Sequence, residues 1–161
     1  MKNILGLGSF VLGILSTVII SMGSSGFLGD IGDKLTDWGD VKHAYSSMQN
    51  ESRNDNRYGS VRKNEPGFEV LASVIAQNVP SIDSRRLAHI VLVTPSVIGG
   101  VADSKVQIAY RGELDTYAVA DYAVFQYWVS QSKSQYFLYI GLKFLFLSFV
   151  IGLIHYLMRE D

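Results

Sequence analysis

Hydrophobic and polar positions are sorted along this chain by region as well as by period. Residues 4–22 carry no charge, and residues 136–158 carry one certain charge, Lys143, among fourteen Leu, Ile, Val and Phe. Each run is close to the roughly 20 residues that an α-helix needs to cross about 30 Å of hydrocarbon. Fourteen such residues at about −0.3 to −0.6 kcal/mol apiece outweigh the roughly 2.5 to 3.5 kcal/mol cost of a central lysine, so the second run is expected to insert despite its charge. Tyr136, Tyr139 and Tyr156 stand near its ends, where an aromatic belt belongs. The first run follows Lys2 and is longer than the roughly 7 to 15 residues of a secretory signal core. Ser21-Met22-Gly23 offers small residues of cleavage type, but an uncleaved anchor is the expectation.

Between the two runs the pattern changes to short, half-polar elements. Gly23-Ser-Ser-Gly26 reads as a hinge. Leu28, Ile31, Leu35, Trp38, Val41, Tyr45 and Met48 then recur at three- and four-residue steps, the period of one amphipathic helix. Its other faces carry Asp30, Asp33, Asp37 and Asp40. A helix lying on anionic lipid would carry Lys and Arg there, so this helix is expected to pack on protein. Residues 49–65 are mostly polar and read as a solvated linker. Pro66 suits the first position of a helix with the stripe Phe68, Leu71, Ile75 and Val79, and Pro80 stops it. Ser81 or Asp83 can cap a short helical piece bearing Arg85 and Arg86. Residues 89–94 are β-branched and strand-like, and residues 105–111 alternate as a half-buried strand does. Residues 114–133 place Leu114, Ala118, Tyr122, Phe125 and Val129 on one face, which predicts a helix running on into the last apolar run, with a strand as the alternative that their Tyr, Val and Trp content keeps open.

The fold class expected from this pattern is α+β. Two transmembrane helices, residues 4–22 and 136–158, flank a hinge, amphipathic helix and linker (23–65) and a small extramembrane α+β domain (66–133) with a short β-hairpin or small sheet. Two spans place both termini on one side. A basic amino terminus ahead of an apolar run points to cytoplasmic termini and an extracytoplasmic domain, in a bacterial inner membrane or a viral membrane.

Small side chains mark both spans. Ser9, Gly13, Thr17 and Ser21 recur at every fourth residue of the first, and Gly141, Ser148, Gly152 and His155 share a face of the last. Stripes of small residues let helix backbones approach where lipid supplies no hydrophobic drive, so these are the expected helix-packing interface. Lys143 lies on nearly the opposite face. It either meets a second protein surface or polar lumen, or snorkels back toward the Tyr136 end of its helix.

Composition removes several functions. A net charge of −1 lacks the basic footprint of a nucleic-acid binder, and the absence of cysteine excludes disulfides, thiolate metal sites and thiol nucleophiles. No two of His43, His89 and His155 have the spacing of a helix-borne zinc site, and neither a phosphate-binding loop nor a nucleophile elbow occurs. Arg85-Arg86 reads as solvated, and Glu113, Asp115 and Asp121 as surface or capping residues. The expected function is therefore non-enzymatic and free of cofactor and metal. The chain reads as an accessory, scaffold or assembly subunit whose partners are the bilayer and either its own copies or other membrane-protein subunits. A self-assembling pore and a membrane-anchored ligand sensor are the competing readings.

Overall fold

The computed structural model describes residues 2–24, 26–53, 58–94, 104–113 and 115–158. In order, the elements are α1 (Lys2–Met22), α2 (Phe27–Leu35), α3 (Trp38–Arg53), β1 (Tyr58–Arg62), α4 (Phe68–Asn78), a 3₁₀ turn (Ser84–Arg86), β2 (Leu87–Val93), β3 (Lys105–Tyr110), β4 (Thr116–Asp121) and α5 (Tyr122–Leu157). The fold is α+β, with two of its helices long and apolar enough to cross a membrane by length and composition. The chain divides into two compact units: one joins the residues up to Gly32 with those from Lys133 onward, and the other comprises Asp33–Ser132.

The second unit is built on an antiparallel meander of strand order β1-β2-β3-β4. Alternation along the strands turns one face inward, and the register lines the inward residues up: Val61 opposes Ile90 and Ile90 opposes Ile108, while Leu92 opposes Val106. These five are buried with Phe68, Leu71, Ala72, Val74 and Ile75 of α4 and with Val41, Ala44 and Met48 of α3, in one core. Gly59 belongs to the same inward face, and a Cβ there would collide with the backbone of Met48. The bare glycine is what lets α3 lie against β1. Tyr45 of α3 stacks on Tyr122 at 5.3 Å between ring centroids and lies 6.3 Å from the Phe125 ring. Burial, reinforced by the Tyr122 hydroxyl beside it, holds the Tyr45 hydroxyl pKa well above the usual tyrosine range.

Four local expectations change. The period of residues 28–48 is continuous, but the helix breaks at Thr36–Asp37, where the Thr36 hydroxyl accepts the Trp38 N–H at 3.4 Å and α3 starts afresh. Residues 49–65 are not all linker: they contain the end of α3 and all of β1. Their carboxylates close the outer edge of the sheet, since Glu51 accepts the Ser60 N–H at 3.3 Å and Glu65 accepts the Arg62 N–H at 2.8 Å. Pro66 sits in the turn before α4, which starts at Phe68 behind Gly67 in the left-handed region. Residues 116–121, expected to be helical, are strand β4, and α5 starts only at Tyr122.

The reason for that last difference lies at the β3–β4 turn. Gly112 has φ 84°, a conformation side chains other than glycine's rarely adopt, and it reverses the chain. The Arg86 guanidinium meets Glu113 at 3.3 Å and lies 5.4 Å from the Tyr110 ring centroid, and the Tyr117 hydroxyl donates to Glu113 at 3.1 Å. Thr116 donates to Gln107 at 2.7 Å across the strands. Pairing with β3 satisfies backbone groups that a helix would satisfy internally, and the aromatic and β-branched Thr116, Tyr117 and Val119 favour the pleated form. Val119 is an extra residue, because Val106 opposes Ala120 while the next residue, Gln107, opposes Ala118.

Candidate functional site: the seam between the two apolar helices

The residues that bring α1 against α5 are small and hydroxylic. Ser9 Oγ donates to the Ser148 carbonyl at 2.9 Å, and Ser148 Oγ returns a bond to the Ser9 carbonyl at 2.7 Å. Ser16 Oγ donates to the Gly141 carbonyl at 2.8 Å, and Ser134 Oγ to the Gly23 carbonyl at 2.9 Å. As residue numbers rise along α1 they fall along α5, so the two helices are antiparallel. Each of these four bonds joins a side chain to the partner's backbone, which requires the helix axes to come close together.

The contacts follow a heptad seam. On α5 Ser134, Gly141, Ser148 and His155 succeed one another at seven-residue intervals. On α1 Gly6, Ser9, Gly13, Ser16 and Ile20, with Gly23 just past its end, alternate steps of three and four. This spacing keeps a contact line straight between two slightly supercoiled helices. Where α1 lacks a Cβ, α5 fills the space: the His155 ring lies over Gly6, with Nε2 3.0 Å from where a Cβ would stand, and the Ser148 hydroxyl lies 3.5 Å from the same point at Gly13. Where α5 lacks one, α1 does likewise: at Gly152 the Ser9 hydroxyl is 3.0 Å from that point, and at Gly141 the Ser16 carbonyl is 3.1 Å from it.

The structure thus brings Ser9, Gly13, Gly141, Ser148 and Gly152 together at one seam. Thr17 and Ser21 lie beside it and bond within α1, Thr17 to the Gly13 carbonyl at 3.2 Å and Ser21 to the Thr17 carbonyl at 2.9 Å. A strict four-residue step advances about 40° round a helix each time, so a stripe that begins at Ser9 leaves the contact line by Thr17. Ser16, only 1% exposed, takes the place expected of Thr17. The signal for it was in the sequence as the alternating three–four spacing.

Lys143 is exposed on the side away from the seam, and its ammonium lies 4.1 Å from the centroid of the Tyr139 ring, one turn earlier. Its side chain therefore runs toward the end of α5 that bears Tyr136 and Tyr139, as helix geometry favours.

Around this pair the surface is apolar. Sixteen Leu, Ile and Phe residues among those described are exposed, five on α1, two on α2 and nine on α5, and none on the strands, α3 or α4. The seam offers hydroxyls, carbonyls and one imidazole. Among the described residues no group of three His, Cys, Asp or Glu could hold a metal ion. What this arrangement does chemically is hold two helices together. Compared with known proteins, the chain gives no match to a family model, to a curated protein or to a solved structure.

Proposed function

We propose that this chain is an integral membrane protein in which α1 and the last two-thirds of α5 cross the bilayer as an antiparallel pair, locked by the serine–glycine seam. The observation that carries the reading is the placement of the sixteen exposed Leu, Ile and Phe residues on helices α1, α2 and α5. A water-soluble chain would leave about 1.5 to 3 kcal/mol of burial unrealised at each such side chain, and so large a contiguous apolar surface marks a contact with lipid or protein.

Lengths support the same reading. The 21 residues of α1 span about 32 Å, close to the hydrocarbon thickness, whereas the 36 residues of α5 span about 54 Å and overreach it by about 24 Å. Centring the pair on Gly13 and Ser148, which are in contact, sets the hydrocarbon boundary near Leu138 at one end and near Met158 at the other. The Lys143 Cα then lies about 7 to 8 Å below the first boundary. A lysine side chain covers that distance, so its ammonium reaches the boundary alongside Tyr139. We therefore read Lys143 as snorkelling to lipid headgroups, with a role in setting depth.

The polar stretch of chain between the two spans is read as standing in water. The basic start of α1 supports cytoplasmic termini and an extracytoplasmic unit. With no constellation for chemistry in the site, the protein acts as an accessory or scaffold subunit, assembling with its own copies or with other membrane proteins. Extraction into lipid nanodiscs under gentle conditions, followed by identification of what co-purifies, tests this: a stoichiometric companion or a defined oligomer is expected. A chain that alkaline carbonate releases from membranes would overturn the membrane reading, and an isolated monomer with no companion would overturn the scaffold reading.

A further inference from the structure

The short helix α2 has a face that the seam does not use. At about 100° per residue, Phe27, Ile31 and Leu35 fall within about 80° of one another, while Gly29 and Gly32 lie on the other side. The glycine side is the one held: a Cβ on Gly32 would come within 2.9 Å of both Met22 Cβ and Phe137 Cζ, and Lys133 donates to the Gly29 carbonyl at 3.3 Å. These contacts fix α2 at the level where α1 ends. The opposite side is open at its two ends, with Ile31 half-buried between them. Phe27 is 79% exposed and Leu35 70%, as exposed as Phe146 at 70% and Phe149 at 68% on the membrane-facing side of α5.

We infer that α2 is an interfacial helix whose Phe27–Ile31–Leu35 face lies in the headgroup–acyl boundary of the leaflet at which α1 ends, its partner being the lipid surface itself. The inference rests on the membrane reading above and deepens it. The level of α2 supplies the occupant: Phe137, against which Gly32 is seated, lies next to the boundary estimated at Leu138, and the Lys143 ammonium and the Tyr139 ring meet at that depth. Charge supplies the lipid class. Asp33 is buried, 8% exposed and 3.7 Å from Lys42, and the exposed ionisable residues of α2, Asp30 and Lys34, carry opposite charges, so the helix has no basic face for anionic lipid. Attachment is carried by the apolar face, so zwitterionic lipid suffices.

The chain has no cysteine, which makes single-site labelling clean. Nitroxides at Phe27→Cys and Ile31→Cys, with Leu142→Cys as hydrocarbon reference and Ser46→Cys as water reference, are compared in phosphatidylcholine vesicles by power saturation with oxygen and with a nickel chelate. Oxygen is expected to relax the Phe27 and Ile31 labels more than nickel does, at a depth shallower than Leu142, and adding anionic lipid leaves that depth unchanged. A Phe27 label as open to nickel as Ser46, with Leu142 deep, overturns the interfacial helix and leaves the membrane reading standing. A Leu142 label open to nickel overturns both. A Phe27 label shielded from both relaxants shows a protein covering the face and overturns the lipid assignment.

Discussion

The replacement that tests the seam most directly is Gly141→Leu. At this position a Cβ would stand 3.1 Å from the Ser16 carbonyl and overlap the Ile20 side chain, and the rest of a leucine has no room unless the helices separate. Four cross-helix hydrogen bonds of 2.7 to 2.9 Å bracket or include the site, and such bonds weaken steeply once stretched past about 3.5 Å. Interhelical hydrogen bonds within membranes average about 0.6 kcal/mol each, so losing all four removes about 2.4 kcal/mol, roughly a 50-fold fall in the pairing equilibrium. Fluorophores at Ile4→Cys and Leu157→Cys, both exposed, report pairing by energy transfer during an SDS titration in mixed micelles. Gly8→Leu is the matched control, because nothing lies within 4 Å of a Cβ there. The expected result is a markedly earlier midpoint for Gly141→Leu and an unchanged one for Gly8→Leu. Coincident midpoints for the two variants would refute the close-packed seam.

Lys143→Leu should leave the same pairing equilibrium within about 0.5 kcal/mol, since the side chain lies away from the seam; a larger loss places Lys143 in a protein contact instead. Gly59→Val should prevent the Asp33–Ser132 unit from folding, read as lost tryptophan near-UV dichroism, because the added carbons collide with Met48 backbone that no rotamer change can move. Tyr45→Phe keeps the stack on Tyr122 and is expected to flatten the alkaline limb of the stability profile. A folded-state pKa raised above the unfolded value of about 10 gives stability that is full below pH 10 and is lost as pH climbs beyond it. Urea titrations from pH 9 to 11 check this, and identical slopes for the two proteins would refute it.

The two apolar helices were legible because nearly every residue of each run is uncharged and most are apolar, whichever face they occupy. The seam was half legible: small residues announced it, but a four-residue step and the three–four alternation share Ser9 and Gly13 and part company only at Ser16 and Thr17. Strand β1 was hidden because its inward positions are only Gly59 and Val61, too few to show a period and one of them without a side chain. The acidic residues that made its surroundings look like linker, Glu51 and Glu65, are the ones that finish the sheet edge. Strand β4 was hidden for the opposite reason. Residues 114–129 satisfy a helical spacing, and only the turn at Gly112, tied down by the Arg86–Glu113 pair, decides for pairing with β3. The face of α2 escaped notice because its apolar positions continue in phase into α3, and the break at Thr36 separates two helices with different surroundings.

The carboxylates on β1 have a consequence for crowding. A bilayer confines its proteins to two dimensions, so any unfinished strand meets copies of itself far more often than it would in solution, and exposed edges join. Here one margin is stoppered by two glutamates and the other is short and interrupted by Val119. On the proposed membrane reading, neighbouring molecules would collide through their watery parts without fusing into a common sheet, and the greasy helices would be the surfaces left for lasting association.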